Sequence, residues 1–266
     1  LWIAYFLSLY FVIFWLLVFI DKEYRNKLRK FKKYPLVSIV VPAYNEEKNI
    51  LTTLKPLINL DYPAKKLEII VVNDGSTDNT RNVIKKFIAQ NKNYNIKLVN
   101  QINKGKGAAL NKGLYISKGE FFVCLDADSI VESDVLRKML PHFTDKNIAV
   151  VLPSLKAYKP SNFWQKMQWF EYIVNMFYKK LMSRLDCLHV SPGPFSIYRK
   201  AILQKVGGFD ENNLTEDLEV TLRLQSKHYR IVQIMNAEVY TIIPSTFKSL
   251  YRQRNRWYKG AIINAI

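Results

Sequence analysis

Between residues 36 and 126, short apolar runs alternate with stretches of helical periodicity, and this alternation constrains the fold more than any other feature. Leu36 to Val41 and Leu67 to Val72 are runs rich in β-branched residues, each closed by turn-forming residues. Residues 46–59 and 77–91 carry apolar side chains at helical spacing. Parallel strands joined by helices produce this order, so we predict an α/β fold with a mostly parallel, doubly wound sheet.

Three further elements extend the alternation. We predict a strand at Ile96 to Val99, a helix at Ala108 to Ile116 and a strand at Phe121 to Leu125. Ligands of such sheets bind beyond the carboxyl ends of the strands, and Asn45, Asp74 and Asp126 stand at those ends. These three polar side chains are therefore expected to face one crevice.

Beyond residue 150 the strand pattern loosens, and the clearest element is a helix predicted at Phe163 to Leu185. Its apolar positions step by three and four residues, which makes the helix amphipathic. Such a face normally packs on a core, but the tryptophans of this segment and its paired Lys179 and Lys180 would equally suit a membrane surface. The sequence leaves both placements open.

The segment Leu1 to Ile20 contains no charged side chain and is long enough to cross about 30 Å of hydrocarbon as a helix. We therefore predict a transmembrane helix; a buried core helix is the alternative, although such helices are usually shorter and carry a polar stripe. A signal peptide is not indicated, because the segment is followed directly by charged residues and not by a cleavage site of small residues. The basic run that follows, through Lys33, predicts a cytoplasmic domain beside anionic lipid of the plasma membrane.

The formal net charge of +18 indicates that a binding partner would be negatively charged, but it does not identify the partner. Nucleic acid is not expected, because the sequence has no zinc-finger spacing, RNP motif or evident helix-turn-helix. Cys124 and Cys187 form no CxxC pattern, and His142, His189 and His228 lack metal-ligand spacing. We expect all five to be structural.

Five short motifs follow one another along the chain. They are VSIVVPAYNE at 37–46, VVNDGSTDNT at 71–80, Asp126-Ala127-Asp128, Thr215-Glu216-Asp217 and Gln253-Arg254-Asn255-Arg256-Trp257. The ordered set resembles the signature of processive family 2 glycosyltransferases, which include cellulose, chitin, hyaluronan and poly-N-acetylglucosamine synthases. The resemblance covers about Val37 to Gly260, and the pentapeptide, which non-processive members generally lack, stands 35 residues (218 to 252) beyond Asp217.

The resemblance implies a GT-A fold and a membrane-anchored, inverting, metal-dependent enzyme. Such an enzyme transfers a sugar from a UDP-sugar donor to a growing β-linked polysaccharide acceptor at the cytoplasmic face of the membrane.

The resemblance also assigns a donor side to the site. In the family, the first loop and the aspartate of the second motif hold uridine and ribose, which here implies Ala43, Tyr44, Glu46 and Asp74. Lys106, in a glycine-spaced loop before a helix, stands where backbone amides and positive charge can meet an anion. The alternatives are a plain Asp-Gly turn at Asp74 and a solvated surface lysine at Lys106.

Asp126 and Asp128 follow an apolar strand, and side chains two residues apart in an extended chain point the same way. Both carboxylates can therefore face one hard cation. The motif resembles the DxD element of the family, which implies Mg2+ or Mn2+ bridging the donor diphosphate. Paired acids that only face water are the alternative.

Asp217 resembles the catalytic base of the family, which takes the proton of the acceptor hydroxyl, and we place Glu216 beside it in the catalytic set. The same acids could begin a helix with Thr215 as its cap, and both roles are compatible.

The pentapeptide supplies the remaining site residues. Gln253 and Arg256 are expected on the donor, because a guanidinium can grip phosphate oxygens, and Trp257 on the acceptor, because its ring can stack on a sugar. Gly193 lies in a loop that resembles the acceptor channel of these synthases and joins the acceptor side. A basic membrane-surface helix is a compatible interpretation of the pentapeptide segment.

These predictions divide the chain into five segments. They are a transmembrane helix at 1–20, a basic linker at 21–35, a nucleotide-sugar-binding half at 36–150, an acceptor-binding half at 151–245 and an amphipathic interface helix at 246–266. Two other functions stay open on sequence alone: transfer of one sugar to a lipid phosphate, and a basic membrane-binding or nucleic-acid-binding module. The donated sugar, the linkage, and any membrane helices after residue 266, near which an apolar stretch begins, are not specified by these motifs.

Overall fold

The computed structural model describes residues 1–20, 33–143 and 145–265. Its helices are α1 (Trp2–Ile20), α2 (Ile50–Ile58), α3 (Thr80–Gln90), α4 (Lys106–Ile116), α5 (Val135–Met139), α6 (Phe163–Arg184), α7 (Lys200–Lys205), α8 (Glu216–Ser226) and α9 (Phe247–Ala265). Its strands are β1 (Val37–Ala43), β2 (Leu67–Asp74), β3 (Ile96–Gln101), β4 (Phe121–Cys124), β5 (Ser129–Val131), β6 (Ile148–Ala157), β7 (Ser196–Arg199) and β8 (Arg230–Thr241). The predicted basic run before Lys33 lies outside the described residues.

The described strands form one sheet in the order β3-β2-β1-β4-β7-β6-β8-β5. Neighbouring strands are parallel from β3 through β4, and again between β6 and β8. Strand β7 runs antiparallel to both β4 and β6, and β5 runs antiparallel to β8. The mostly parallel sheet predicted from the sequence is confirmed, and strands from both sides of residue 150 join in it.

Helices cover the sheet on both faces, which makes it doubly wound. One buried cluster joins Ile50 of α2 and Ile84 of α3 to Ile39 of β1, and the other joins Ala109 of α4 to Val40 of the same strand. Neighbouring side chains of a strand point to opposite faces, so Ile39 and Val40 serve different cores. Burial on both faces explains why β1 and β2 are nearly continuous apolar runs, interrupted by the buried Ser38 and Glu68.

Strands β6, β7 and β8 were not predicted, and their sequences show why. The apolar run of β6 is interrupted at Pro153, where its register with β8 shifts between Leu152 and Ser154. An irregularity of this kind tolerates proline, because the ladder of hydrogen bonds is already interrupted there. Strand β7 has only four residues, too few to show a periodic pattern.

Helix α2 begins at Ile50, four residues later than predicted, because the preceding chain forms a turn. Asn45 adopts a left-handed φ of 55°, and its side-chain oxygen accepts hydrogen bonds from the amides of Thr77 at 2.8 Å and Asp78 at 3.4 Å. These bonds tie the loop after β1 to the loop after β2. Helix α6 agrees with its prediction to within one residue and begins with an Asn162 capping box.

The predicted helix at the N-terminus is present as α1, and most of its described side chains are exposed. The Arg184 side chain of α6 donates a hydrogen bond to the Val18 carbonyl near the end of α1, where helix carbonyls lack partners within the helix. Among the residues that the structure describes, no helix meets the length and hydropathy needed to span a membrane. The transmembrane part of this prediction is therefore not confirmed.

Packing of α4 on the sheet depends on a glycine, which yields a test of the fold. A Cβ atom at Gly113 would lie 2.3 Å from Cγ1 of the fully buried Val40, closer than two carbon atoms can approach. We expect Gly113→Ala to lower the free energy of unfolding by about 1–3 kcal/mol. Chemical denaturation would measure the change, with the exposed Lys112→Ala on the same helix as control; equal stability of the two variants would contradict the packing.

Candidate active site

One cavity of about 560 Å3 lies where the carboxyl end of β4 meets α6, α8 and α9. Nine of the residues predicted from the sequence line this cavity: Lys106, Asp126, Asp128, Gly193, Glu216, Asp217, Gln253, Arg256 and Trp257. The other four, Ala43, Tyr44, Glu46 and Asp74, are not among its lining residues. The fold thus brings residues that are far apart in the sequence to one site, such as Lys106 and Asp217, which are separated by 111 positions.

Lys106, the first residue of α4, joins two of the acidic elements. Its Nζ lies 2.7 Å from Oδ1 of Asp126 and 3.1 Å from Oε1 of Glu216, and a third of its side chain (34%) stays exposed. Burial alone would lower the pKa of the lysine, but the carboxylates of Asp126, Glu216 and Asp217 raise it well above its usual range. The ammonium therefore stays charged and offsets the negative charge of the cavity.

Gly193 brings a loop backbone directly onto this ion pair. A Cβ atom there would lie 2.6 Å from both Oδ1 of Asp126 and Nζ of Lys106. A side chain at position 193 would force the ends of Lys106 or Asp126 to move. The sequence placed Gly193 on the acceptor side, and the structure shows that it also borders the acidic centre.

Asp128 lies close to other negatively charged side chains. Burial, together with the nearby carboxylates of Asp126 and Glu46, raises the pKa of Asp128 to about 7. Burial also raises the pKa of Glu46, against the effect of a hydrogen bond from Asn49. A site in which ionisation is this unfavourable gains from an added cation.

Asp217 lies in the first turn of α8 and lines the cavity beside the buried Glu216. Burial, then repulsion from Glu216, raises the pKa of Asp217 to about 6, while Lys106 acts in the opposite direction. The amide of Leu218 donates to its Oδ1 at 2.9 Å, which fixes the orientation of the carboxylate. A carboxylate held this way is ionised near neutral pH and more basic than an exposed aspartate.

The Asp74 carboxylate makes hydrogen bonds within the protein that its motif did not predict. Its carboxylate is 4% exposed and accepts three hydrogen bonds, from the Gln101 side chain at 2.8 Å and the amides of Lys104 at 3.0 Å and Gly105 at 2.9 Å. Gly105 in turn has a left-handed φ of 91°. Asp74 therefore fixes the loop from which Lys106 enters the cavity.

The pentapeptide lies on α9, with Gln253 and Trp257 one helical turn apart. Trp257 is 36% exposed, and Nη1 of Arg256 donates to the Leu214 carbonyl at 3.3 Å. A Cβ atom at Gly260 would lie 2.3 Å from Oγ1 of Thr215, so α9 packs closely against the start of α8. This contact places the pentapeptide opposite the acidic centre.

Sequence reasoning missed the contribution of α6. The residues of α6 on the cavity are Glu171, Tyr172, Asn175, Met176, Tyr178, Lys179 and Met182, which recur at helical spacing. Burial lowers the pKa of Lys179 to about 8, partly offset by Asp217, and the nearby His189 was predicted to be structural but also lines the cavity. The polar stripe at positions 171, 175 and 179 is a signal that could have revealed this wall.

Comparisons with known proteins identify the family of the chain. Residues 38–207 match the sequence model of Glycosyl transferase family 2. A poly-beta-1,6-N-acetyl-D-glucosamine synthase of Staphylococcus epidermidis is 32% identical over 228 residues, which cover 84% of this chain and 54% of the relative. A synthase of the same name from Staphylococcus aureus strain COL is 30% identical over 263 residues, covering 96% of this chain and 63% of the relative. The chain spans between half and two thirds of the length of these relatives.

Solved structures show the same fold. A mannosyltransferase of Pyrobaculum calidifontis, in complex with GDP-Man and Mn2+, has a TM-score of 0.76 at 21% identity, covering 92% of this chain and 68% of that one. The complex of S. aureus TarS 1-349 with UDP-GlcNAc has a TM-score of 0.59 at 27% identity, covering 79% and 59%. The α/β fold of GT-A type predicted from the sequence is thus confirmed. The chain belongs to glycosyl transferase family 2.

The close approach of Gly193 generates a test of the site. In Gly193→Ala the new methyl group would push apart Lys106 and Asp126, whose side-chain ends can move, so we expect donor affinity to fall while the fold persists. Calorimetry should show UDP affinity reduced about tenfold, with a thermal midpoint close to that of the wild type. Unchanged UDP affinity would mean that this ion pair does not border the nucleotide.

Proposed function

We propose that the chain is the catalytic part of a processive, inverting, metal-dependent transferase. It moves N-acetylglucosamine from UDP-N-acetylglucosamine to a growing β-1,6-linked polysaccharide. The observation that carries this proposal is the convergence of Asp126, Asp128, Asp217 and Trp257 on one cavity. The nature of the sugar rests on the names of the related synthases and on the UDP-GlcNAc complex of TarS.

The chemistry assigned to Asp217 is general base catalysis. Its carboxylate takes the proton of an acceptor hydroxyl while the hydroxyl oxygen bonds to C1 of the donor sugar. The bond from C1 to the diphosphate breaks in the same displacement, and UDP leaves with the electron pair. Attack from the face opposite the diphosphate inverts the configuration at C1.

Charge on the departing diphosphate needs a counter-charge within the cavity. The Lys106 ammonium, 2.7 Å from Asp126, borders the place where the diphosphate would lie. Arg256 lines the same cavity with a guanidinium suited to phosphate oxygens. Both cations stabilise negative charge that grows as the bond to C1 breaks.

A divalent cation fits the acidic centre. Among the described residues, no three histidine, cysteine or acidic side chains are arranged to hold a metal ion by themselves. Asp128 and Asp126 would supply two ligands, and diphosphate oxygens the others, which agrees with the raised pKa of Asp128. When bound, Mg2+ or Mn2+ would neutralise charge on the diphosphate.

The acceptor side consists of Trp257 with the walls formed by α6 and α8. An indole ring at the cavity offers a flat apolar face on which a sugar can stack. The similarity to polymer synthases supports a polysaccharide acceptor over a lipid phosphate. We place the enzyme at the cytoplasmic face of the plasma membrane, because α1 exposes apolar residues and the sequence that follows it, through Lys33, is basic and suited to anionic lipid.

The proposal is tested by incubating membranes that carry the protein with a panel of labelled nucleotide sugars and sizing the product. We expect incorporation from UDP-N-acetylglucosamine into a long polymer. A single labelled sugar in the lipid extract would instead support transfer to a lipid phosphate. Metal-indifferent UDP binding without any transfer would support a non-enzymatic binding module.

The role of Asp217 predicts a separation of transfer from binding. An amide keeps the shape of the side chain but cannot take the proton, so Asp217→Asn should abolish incorporation while UDP-sugar binding stays near normal. Because the base acts when ionised, wild-type transfer should rise with pH through about 6 and then level off. Normal incorporation by the variant would refute the assignment, and loss of donor binding would show that Asp217 shapes the site instead.

The metal assignment predicts the behaviour of Asp128→Asn. The variant loses one ligand charge, so UDP affinity in the presence of Mg2+ or Mn2+ should fall, whereas affinity measured without metal should change little. Calorimetry with each metal and with a chelator measures the difference. The exposed Glu120→Gln, just before the amino end of β4 and outside the cavity lining, is the charge-matched control. Equal affinity of variant and wild type in both metals would remove Asp128 from the metal site.

A further inference from the structure

We propose that Arg254 is a positioning residue for the acceptor sugar, acting through Trp257. This inference rests on the proposed function, because it concerns the ring on which the acceptor stacks. Arg254 occupies a position of the pentapeptide to which the sequence analysis assigned no role. Arg254 and Glu171 both line the cavity, and their contact joins α9 to α6.

The guanidinium of Arg254 has two partners. Its Nη2 donates to Oε2 of Glu171 on α6 at 2.5 Å, and its Cζ lies 4.2 Å from the centroid of the Trp257 ring. The arginine side chain is 17% exposed, so water screens these contacts only partly. A cation at this distance from an indole attracts the ring electrostatically, and the attraction grows as the pair is desolvated.

These two contacts fix the orientation of the guanidinium. Its Nη1 is buried and has no hydrogen-bond partner among the residues described, so no third group competes for the fork. The carboxylate of Glu171 therefore sets the position of Arg254, and Arg254 sets the position of the ring. The guanidinium lies over one face of the indole, and we place the sugar on the opposite face.

Contact with Glu171 also separates the roles of the two arginines in the pentapeptide. The charge of Arg254 is already matched by a carboxylate, whereas the side chain of Arg256 has one hydrogen bond to the residues that the structure describes, to the Leu214 carbonyl. Arg256 thus remains the better partner for the diphosphate. Arg254 is expected to affect the acceptor and not the donor.

The test measures initial rates of the full chain in membranes, with UDP-N-acetylglucosamine and a β-1,6-linked N-acetylglucosamine oligosaccharide as acceptor. We expect Arg254→Met to raise the KM for the oligosaccharide about tenfold, because the ring loses its cation. The KM for the donor and kcat at saturating acceptor should stay within about twofold of the wild type. Arg252→Met, on the exposed surface of the same helix, should match the wild type.

Two further variants separate positioning from a merely structural role. Arg254→Lys keeps the charge but loses the planar fork, so the acceptor KM should recover only in part. Glu171→Gln should raise the acceptor KM less than Arg254→Met, and the double variant should be no worse than Arg254→Met alone, because both changes break one chain of contacts. If Arg254→Met proves unstable to heat, Arg254→Lys and Glu171→Gln decide the question.

An unchanged acceptor KM in these variants, or an equal rise in the donor KM, would overturn the inference while the proposed function stands. Additive effects in the double variant would also overturn it, because Glu171 would then act independently of Arg254. A wild-type protein that elongates no oligosaccharide with any UDP-sugar would instead refute the proposed function, and the inference with it.

Discussion

The geometry of the cavity depends on the Lys106 ammonium. The ammonium contacts Asp126, just beyond the end of β4, and Glu216, at the start of α8. These two residues are 90 positions apart in the sequence. Asp128 and Asp217 are already hard to ionise with this cation in place, as their raised pKa values indicate. Without it, four carboxylates would face one another across a partly dry cavity, and repulsion would drive the two elements apart or leave the acids protonated.

The position of the Lys106 ammonium depends on a residue at the end of a strand. The Asp74 carboxylate at the end of β2 accepts the amides of Lys104 and Gly105, and the left-handed Gly105 turns the chain into α4. Lys106 thus enters the cavity from a loop fixed by partly buried hydrogen bonds, which cost more free energy to break than fully exposed ones. A residue that the sequence suggested for nucleotide binding therefore also holds the charge on which the acidic centre depends.

What the sequence could predict follows from where the information lies. Strands β1 and β2 are buried on both faces and show nearly continuous apolar runs, which predicted them as strands. Short motifs pointed to Asp126, Asp128 and Asp217 through a family resemblance. Contacts between elements that are distant in the sequence leave no comparable pattern in it. The pairing of Lys106 with Glu216, and of Arg254 with Glu171, arises only when α8 and α9 pack beside α4 and α6. Spacing along the chain carries no signal for such pairs.

The two sides of the cavity are held by different kinds of interaction. The acidic centre is fixed by strand ends and by hydrogen bonds from backbone amides to the Asp74 carboxylate, whereas the wall around Trp257 is fixed by side chains between helices. Asn264 of α9 donates to Asn213 at 3.2 Å and to Thr215 at 3.0 Å, and the Arg254 pair joins α9 to α6. Side-chain contacts tolerate small shifts of a helix that a strand ladder does not. On the proposed function, this difference lets the wall formed by α9 adjust to acceptors of different length while the acidic centre keeps its geometry for the diphosphate.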